Sequence, residues 1–337
     1  MSKISGIFAT AAAAALTLAL TSAPSYADGP IVGLITKTST NPFFVKMKEG
    51  FEKAAKEAGL TPQAYAGKAD GDNDGQVAAI EQLMAAGAKG ILLTPSDTTA
   101  IVPTVEKARK AGIVVITLDT PLDPPTAADA NIGTDNFKAG QLIGQWAKAT
   151  LGDKAKTAKI ATLDLAANQP SVDYFRHNGF LDGFGIPVKD VKHFSQSDSS
   201  QIVGSDVTAG DVPGGRKAME NILQKADQID VVYAINEPSG YGGYAALKAA
   251  GKEKGVLFVA IDGGCFAMPW VKEGILSATT QQYPLLMAAD GVQQIADYLK
   301  NGAKPHSIDS GEKLITDHPA PGVPSITTDE GAKLCWG

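Results

Sequence analysis

The chain has 337 residues, a net charge of −6 from 36 acidic and 30 basic side chains, and two cysteines, Cys265 and Cys335. This acidic balance argues against nucleic acid or an anionic lipid surface as partner, and the length predicts two domains rather than one small core.

Lys3, the apolar run from Ile7 to Leu20 and Ser25-Tyr26-Ala27, with small residues at −3 and −1, predict a signal peptide over residues 1–27, cleaved after Ala27. The run is Ala-rich and shorter than the ~20 residues of a membrane span. No twin-arginine pair and no cysteine at the cleavage site is present, so a free, soluble chain in the periplasm is expected. In that oxidising compartment Cys265 and Cys335 can pair and tie the C-terminal tail to the loop after Asp262; two free thiols are the alternative.

Short apolar runs then alternate with amphipathic segments. Strands are predicted near Ile31 to Thr36, Thr61 to Ala66, Gly90 to Thr94 and Ile113 to Leu118, with helices near Val45 to Gly59, Gly75 to Gly87 and Thr98 to Gly112. The beat restarts after Asn131 to Asn136. A helix from about Phe137 leads to strands near Lys159 to Leu163, Val188 to Phe194, Asp230 to Ile235 and Val256 to Ile261, and a last helix covers Leu285 to Lys300. Strands alternating with helices give an α/β chain of two doubly wound lobes.

In such sheets ligands bind beyond the carboxyl ends of the strands. Thr40-Asn41-Pro42-Phe43-Phe44 follows the first strand, Asp119 the fourth, and Asn236 and Asp262 end strands of the second half. Amide, carboxylate and aromatic ring together suit a sugar, whose hydroxyls lie on its edge and whose C–H bonds lie on its face. Each polar residue also has a structural alternative: Asp119 in a turn before Pro121, Asn236 as a helix cap, Asp262 bracing Gly263-Gly264.

Asn41-Pro42-Phe43-Phe44, Ile116 to Asp119, Gly133 to Asn136, Asn236-Glu237, Ile261 to Gly263 and Ala278 to Pro284 occur in an order that resembles the periplasmic sugar-binding proteins of the ribose-binding type. Within these the likeness is greatest to those associated with fructose and related monosaccharides. The resemblance implies a type I periplasmic binding protein, two lobes joined by a three-segment hinge near Thr134, Gln282 and Gly311. It implies lobes of residues 28–134 plus 283–311 and 135–282 plus 312–337. It further implies a monomer that binds a monosaccharide through Asn41, Asp119, Asn236, Asp262 and Gln282, with Phe43 and Phe44 against the ring, and that serves an ABC permease in the inner membrane. Where the family often has a cation after the fourth-strand aspartate, this chain has Thr120, and Lys37 is a candidate for that role, a solvated rim lysine being the alternative. The second-lobe arginine is shifted, leaving Tyr174 or Arg176 to fill its place. No stacking aromatic occurs near Gly210 to Gly215. A sugar-sensing adaptor for a chemoreceptor or sensor kinase would share all of these features.

Two motifs point elsewhere. Asp70-Gly71-Asp72-Asn73-Asp74-Gly75 with Glu81 matches a calcium loop, with Asp70, Asp72 and Asp74 as ligands, although a helix beginning by Gly75 would make Asp74 an N-cap instead. Gly240-Tyr241-Gly242-Gly243-Tyr244-Ala245 matches a dinucleotide fingerprint and would make a secreted NAD-dependent sugar oxidoreductase. Pro238 argues that the helix has already begun there, and a chain with no catalytic constellation is expected not to be an enzyme. The four histidines show no metal-ligand spacing and are expected at the surface, while Trp146, Trp270 and Trp336 are expected to pack in cores.

Overall fold

The computed structural model describes residues 29–194 and 199–337; the leader and its cleavage site lie outside the described residues. The first half runs β1 (Ile31–Thr36), α1 (Pro42–Glu57), β2 (Thr61–Ala66), α2 (Asn73–Ala85), β3 (Gly90–Leu93), α3 (Val102–Lys110), β4 (Val114–Leu118) and β5 (Ala130–Gly133). The second runs α4 (Asn136–Leu151), β6 (Ile160–Asp164), α5 (Ser171–Phe184), β7 (Ile202–Val207), α6 (Val212–Leu223), β8 (Val231–Ala234), α7 (Glu237–Ala249), β9 (Leu257–Asp262), α8 (Met268–Lys272) and β10 (Ala278–Gln281). The remaining elements are α9 (Pro284–Asn301), β11 (Ile308–Asp309), β12 (Lys313–Ile315) and α10 (Thr328–Gly331).

Two six-stranded sheets result, ordered β2-β1-β3-β4-β5-β11 and β7-β6-β8-β9-β10-β12. Every pairing is parallel except β10 with β12. Central strands such as β4 are buried along their whole length, as expected when helices cover both faces of a parallel sheet. The strand order reverses between β1 and β3 in one lobe and between β6 and β8 in the other, so each sheet opens a crevice at the carboxyl ends of those strands. The chain passes between the sheets after β5, after β10 and between β11 and β12. Thr134 Oγ1 donates to the Gly311 carbonyl at 3.1 Å and binds two of these passages together.

Several expectations are corrected. Residues 188–194 form turns and bends, not a strand; the strand beside β6 is β7, eight residues after Phe194. β7 pairs on one side only and is half-exposed, so its sequence, Ile202-Val203-Gly204-Ser205-Asp206-Val207, lacks the continuous apolar signal of a buried strand. The stretch near Asn131 is strand β5 of the first sheet as well as the place where the pattern restarts. His177 is buried, against the surface expectation, with Nδ1 2.8 Å from Asp164 Oδ1 and its ring stacked on Phe194.

Close approach of α4 to α5 sets the site's main cation. Gly140 and Gly144 face Gly179 and Gly183, and a Cβ on Gly140 would run into the Arg176 carbonyl. Glycine at these positions holds the backbone carrying Arg176 against α4.

Candidate functional site

The ends of both sheets meet around a narrow cavity of about 30 Å³. From the first lobe come Lys37, Asn41, Phe43, Phe44, Asp70 and Asp119, and from the second Leu165, Val172, Arg176, Ile235, Asn236 and Asp262. Thus Lys37, Asn41, Phe43, Phe44, Asp119, Asn236, Asp262 and Arg176, scattered over 226 positions of sequence, are brought together.

The side chains reach the cavity for local reasons. Asn41 caps α1, its Oδ1 accepting from Phe43 N at 3.0 Å, which fixes the Phe rings on the first helical turn facing the cleft. Phe43 and Phe44 pack edge to face at 5.5 Å. Asn236 caps α7 in the same way, accepting from Ser239 N at 3.0 Å, while its Nδ2 donates to the Gly210 carbonyl at 2.9 Å. The structural alternative for Asn236 is therefore real, and the residue caps the helix while lining the cavity.

Asp119 and Asp262 take left-handed backbone angles, φ 61° and 143°. Such angles cost a non-glycine residue on the order of 1–3 kcal/mol and mark sites where the surroundings over-determine the conformation. Both carboxylates are held. Arg176 Nη2 donates to Asp119 Oδ1 at 3.1 Å, and Thr120 Oγ1 donates to Asp119 Oδ2 at 2.7 Å. Arg176 Nη1 lies 3.7 Å from Asp262 Oδ1, which also accepts from Gln282 Nε2 at 2.9 Å. Arg176 further donates from Nε to Asn136 Oδ1 at 2.7 Å and from Nη1 to the Ile235 carbonyl at 3.1 Å. Asn136 Nδ2 in turn donates to the Asp119 carbonyl at 2.7 Å. The guanidinium is thus a buried bridge between carboxylates of the two lobes.

Behind Asp262 lies Glu237, which accepts from Gly263 N at 2.9 Å, Gly264 N at 3.0 Å and Thr279 Oγ1 at 2.7 Å. Burial, reinforced by the Asp262 carboxylate, pushes Glu237 up to about 8. Burial also pushes Asp262 up to about 7, opposed by Arg176 and reinforced by Asp119. Donors arriving with a ligand would favour the charged form of Asp262.

Two expected contacts are not brought to the cavity. Tyr174 packs against Phe175 at 4.7 Å and is not among the lining residues. Two residues apart on a helix is about 200°, so Arg176 and Tyr174 cannot share a face, whereas Val172, one turn before Arg176, does line the cavity. Gln282 Nε2 donates to Asp262 Oδ1 at 2.9 Å, and Gln282 is not among the lining residues.

The calcium loop is corrected as well. Asp72, not Asp74, caps α2, accepting from Gly75 N at 3.0 Å and from Lys68 N at 2.8 Å. Asp70 turns instead into the cavity beside Lys37, and among the described residues no group of three or more acidic, His or Cys side chains could hold a metal ion. The dinucleotide reading also fails: Gly240, Gly242 and Gly243 lie inside α7, and a Cβ on Gly242 would run into the Val212 carbonyl of α6. These glycines serve helix packing, not a phosphate turn.

Sequence reasoning did not assign Asp70, Asn136 or Trp336 to the cavity. Trp336 packs edge-on against Phe43 at 5.5 Å and donates from Nε1 to the Asp262 carbonyl at 3.2 Å. The available signal was its neighbour: the disulfide Cys265–Cys335 forms, with Cα atoms 5.0 Å apart, and places Trp336 beside the Asp262 turn. The second lobe's apolar contribution to the cavity is aliphatic, from Leu165, Val172 and Ile235. Lys37 is 2% exposed, so the solvated-rim alternative is excluded.

The periplasmic binding protein domain matches residues 32–304. The ribose import binding protein of Bacillus subtilis is 29% identical over 285 residues, covering 85% of this chain and 87% of that protein. The ribose import binding protein of Haemophilus influenzae is 30% identical, covering 88% and 94%. Among solved structures, an ABC transporter solute binding protein from Agrobacterium vitis with bound D-fucose superposes with a TM-score of 0.74 at 27% identity, covering 85% of this chain and 95% of that one. These are binding proteins of transport systems, not enzymes.

Proposed function

Because the chain belongs to the periplasmic binding protein domain family, we propose that it is the sugar-binding component of an ABC importer, taking fructose or a related hexose or pentose in the interlobe cavity and delivering it to a permease in the inner membrane. The observation that carries this reading is the pairing, around the cavity between the two sheets, of the Phe43 and Phe44 rings with Asn41, Asp119, Arg176, Asn236 and Asp262. Rings offer a face to sugar C–H bonds, and fixed carboxylates accept from adjacent hydroxyls. An analogue lacking a hydroxyl leaves such a carboxylate unpaired, which is how the site discriminates.

Hinge closure supplies the signal. Lobes of residues 28–134 plus 283–311 and 135–282 plus 312–337 rotate about the passages near Thr134, Gln282 and Gly311. Sugar bound to one lobe recruits the other, and contacts that need both lobes stabilise the closed shape a permease recognises. The protein acts as a monomer in the periplasm after removal of residues 1–27. Calorimetric titration of the mature protein with a panel of monosaccharides tests the reading: one hexose or pentose binding in the micromolar range or tighter supports it, and no heat with any of them overturns it.

A further inference from the structure

Asp70 and Lys37 enter the cavity from the ends of neighbouring strands, β2 and β1, on the first lobe. Their side chains are 4% and 2% exposed. Lys37 Nζ stands 3.7 Å from Asp70 Oδ1, beyond hydrogen-bond reach, and among the described residues Asp70 Oδ1 has no hydrogen-bond partner. A buried carboxylate oxygen without a donor is costly, so its persistence in a cavity wall points to a donor that arrives from outside. The other two carboxylates differ: Asp119 and Asp262 already accept from Arg176, Thr120 and Gln282. Asp70 also reaches toward the second lobe, its Oδ2 3.3 Å from where a Cβ on Gly210 would stand. The pair therefore sits where the closed lobes meet.

Resting on the sugar-binding reading above, we infer that Lys37 and Asp70 form a subsite that reads one ligand hydroxyl, whose oxygen accepts from Lys37 Nζ while its proton is donated to Asp70 Oδ1. A hydroxyl is the small group that is donor and acceptor at once and so answers both partners. A carboxylate or phosphate at this point would meet Asp70, and an amine would meet Lys37. The subsite thus selects a neutral polyhydroxylated ligand and makes Asp70 a specificity residue.

The test is titration of wild type, Asp70→Ala and the double variant Lys37→Met/Asp70→Ala with the best-binding monosaccharide and each of its single-deoxy analogues. The wild type should lose on the order of tenfold to a hundredfold affinity for one analogue in particular. Asp70→Ala should lose as much for the parent sugar and nothing further for that analogue, a non-additivity that marks direct contact. The double variant, which leaves no unpaired buried lysine, should share that indifference. Wild-type affinity in Asp70→Ala overturns the inference, as does a loss that adds in full to that of every deoxy analogue. A wild type that binds no monosaccharide overturns the sugar reading along with it.

Discussion

Arg176 on the second lobe donates to Asp119 on the first at 3.1 Å, and the same guanidinium lies 3.7 Å from Asp262. One cation therefore holds together two carboxylates that stand on different lobes, on backbone that only a determined environment maintains.

Arg176→Met is expected to abolish measurable binding. Removing one partner from a buried ionic network leaves the others uncompensated, at a cost of about 3–5 kcal/mol. Thermal denaturation should show a fall of many degrees, and Arg176→Lys should recover part of the stability without the affinity, because an ammonium cannot reproduce the fork to Asp119, Asn136 and the Ile235 carbonyl. Near-normal affinity in the lysine variant would show that the fork geometry is dispensable.

Asp262→Ala should weaken ligand binding by at least about a hundredfold while the two-lobed fold persists. Gln282→Ala should weaken it less, by about tenfold, since Gln282 orients Asp262 through a 2.9 Å hydrogen bond and does not line the cavity. Titration with one sugar checks both, and equal losses would place Gln282 in direct contact with ligand.

Much of this was legible in the sequence because parallel strands are continuous apolar runs and their ends are fixed by topology. Asn41, Phe43, Asp119, Asn236 and Asp262 follow from that rule alone. Strand β7 did not, because an edge strand can be half polar. Tyr174 and Arg176 could be separated only by knowing that both lie inside α5, which turns one away. Asp70 was hidden by a motif: its spacing matched a calcium loop, and nothing local says that Asp72 spends both oxygens on backbone amides while Asp70 turns inward. His177 was missed because its partner, Asp164, lies on another element.

Stability of the ligand-free protein should rise as pH falls from about 8 to about 5. Burial raises Glu237 to about 8, Asp262 to about 7 and Asp173 to about 7, the last reinforced by the Asp164 carboxylate. Burial alone would lower His177, but the Asp164 carboxylate, joined by Asp173, raises the imidazole. Each group binds more protons folded than unfolded across this window, so its stabilisation is complete at low pH and is lost as pH rises through the folded value. Differential scanning calorimetry should give a Tm at least about 3 °C higher at pH 5 than at pH 8, with Glu237→Gln flattening the slope. A Tm that climbs with pH over this range would refute the assignment.

The C-terminal tail should matter to binding as well as to stability. Cys265 and Cys335 are 70 residues apart in sequence, and closing a loop of that length is worth about 4 kcal/mol in the chain-entropy account. The disulfide also holds Trp336 between Phe43 and the Asp262 carbonyl, contacts that join the two lobes behind the cavity. Cys335→Ser should therefore lower both Tm and sugar affinity. Trp336→Ala, with the disulfide intact, should lower affinity by about tenfold, because Phe43 loses an aromatic neighbour and the Asp262 turn loses a donor. If Cys335→Ser loses stability while Trp336→Ala binds as well as wild type, the tail is a staple and has no part in the site.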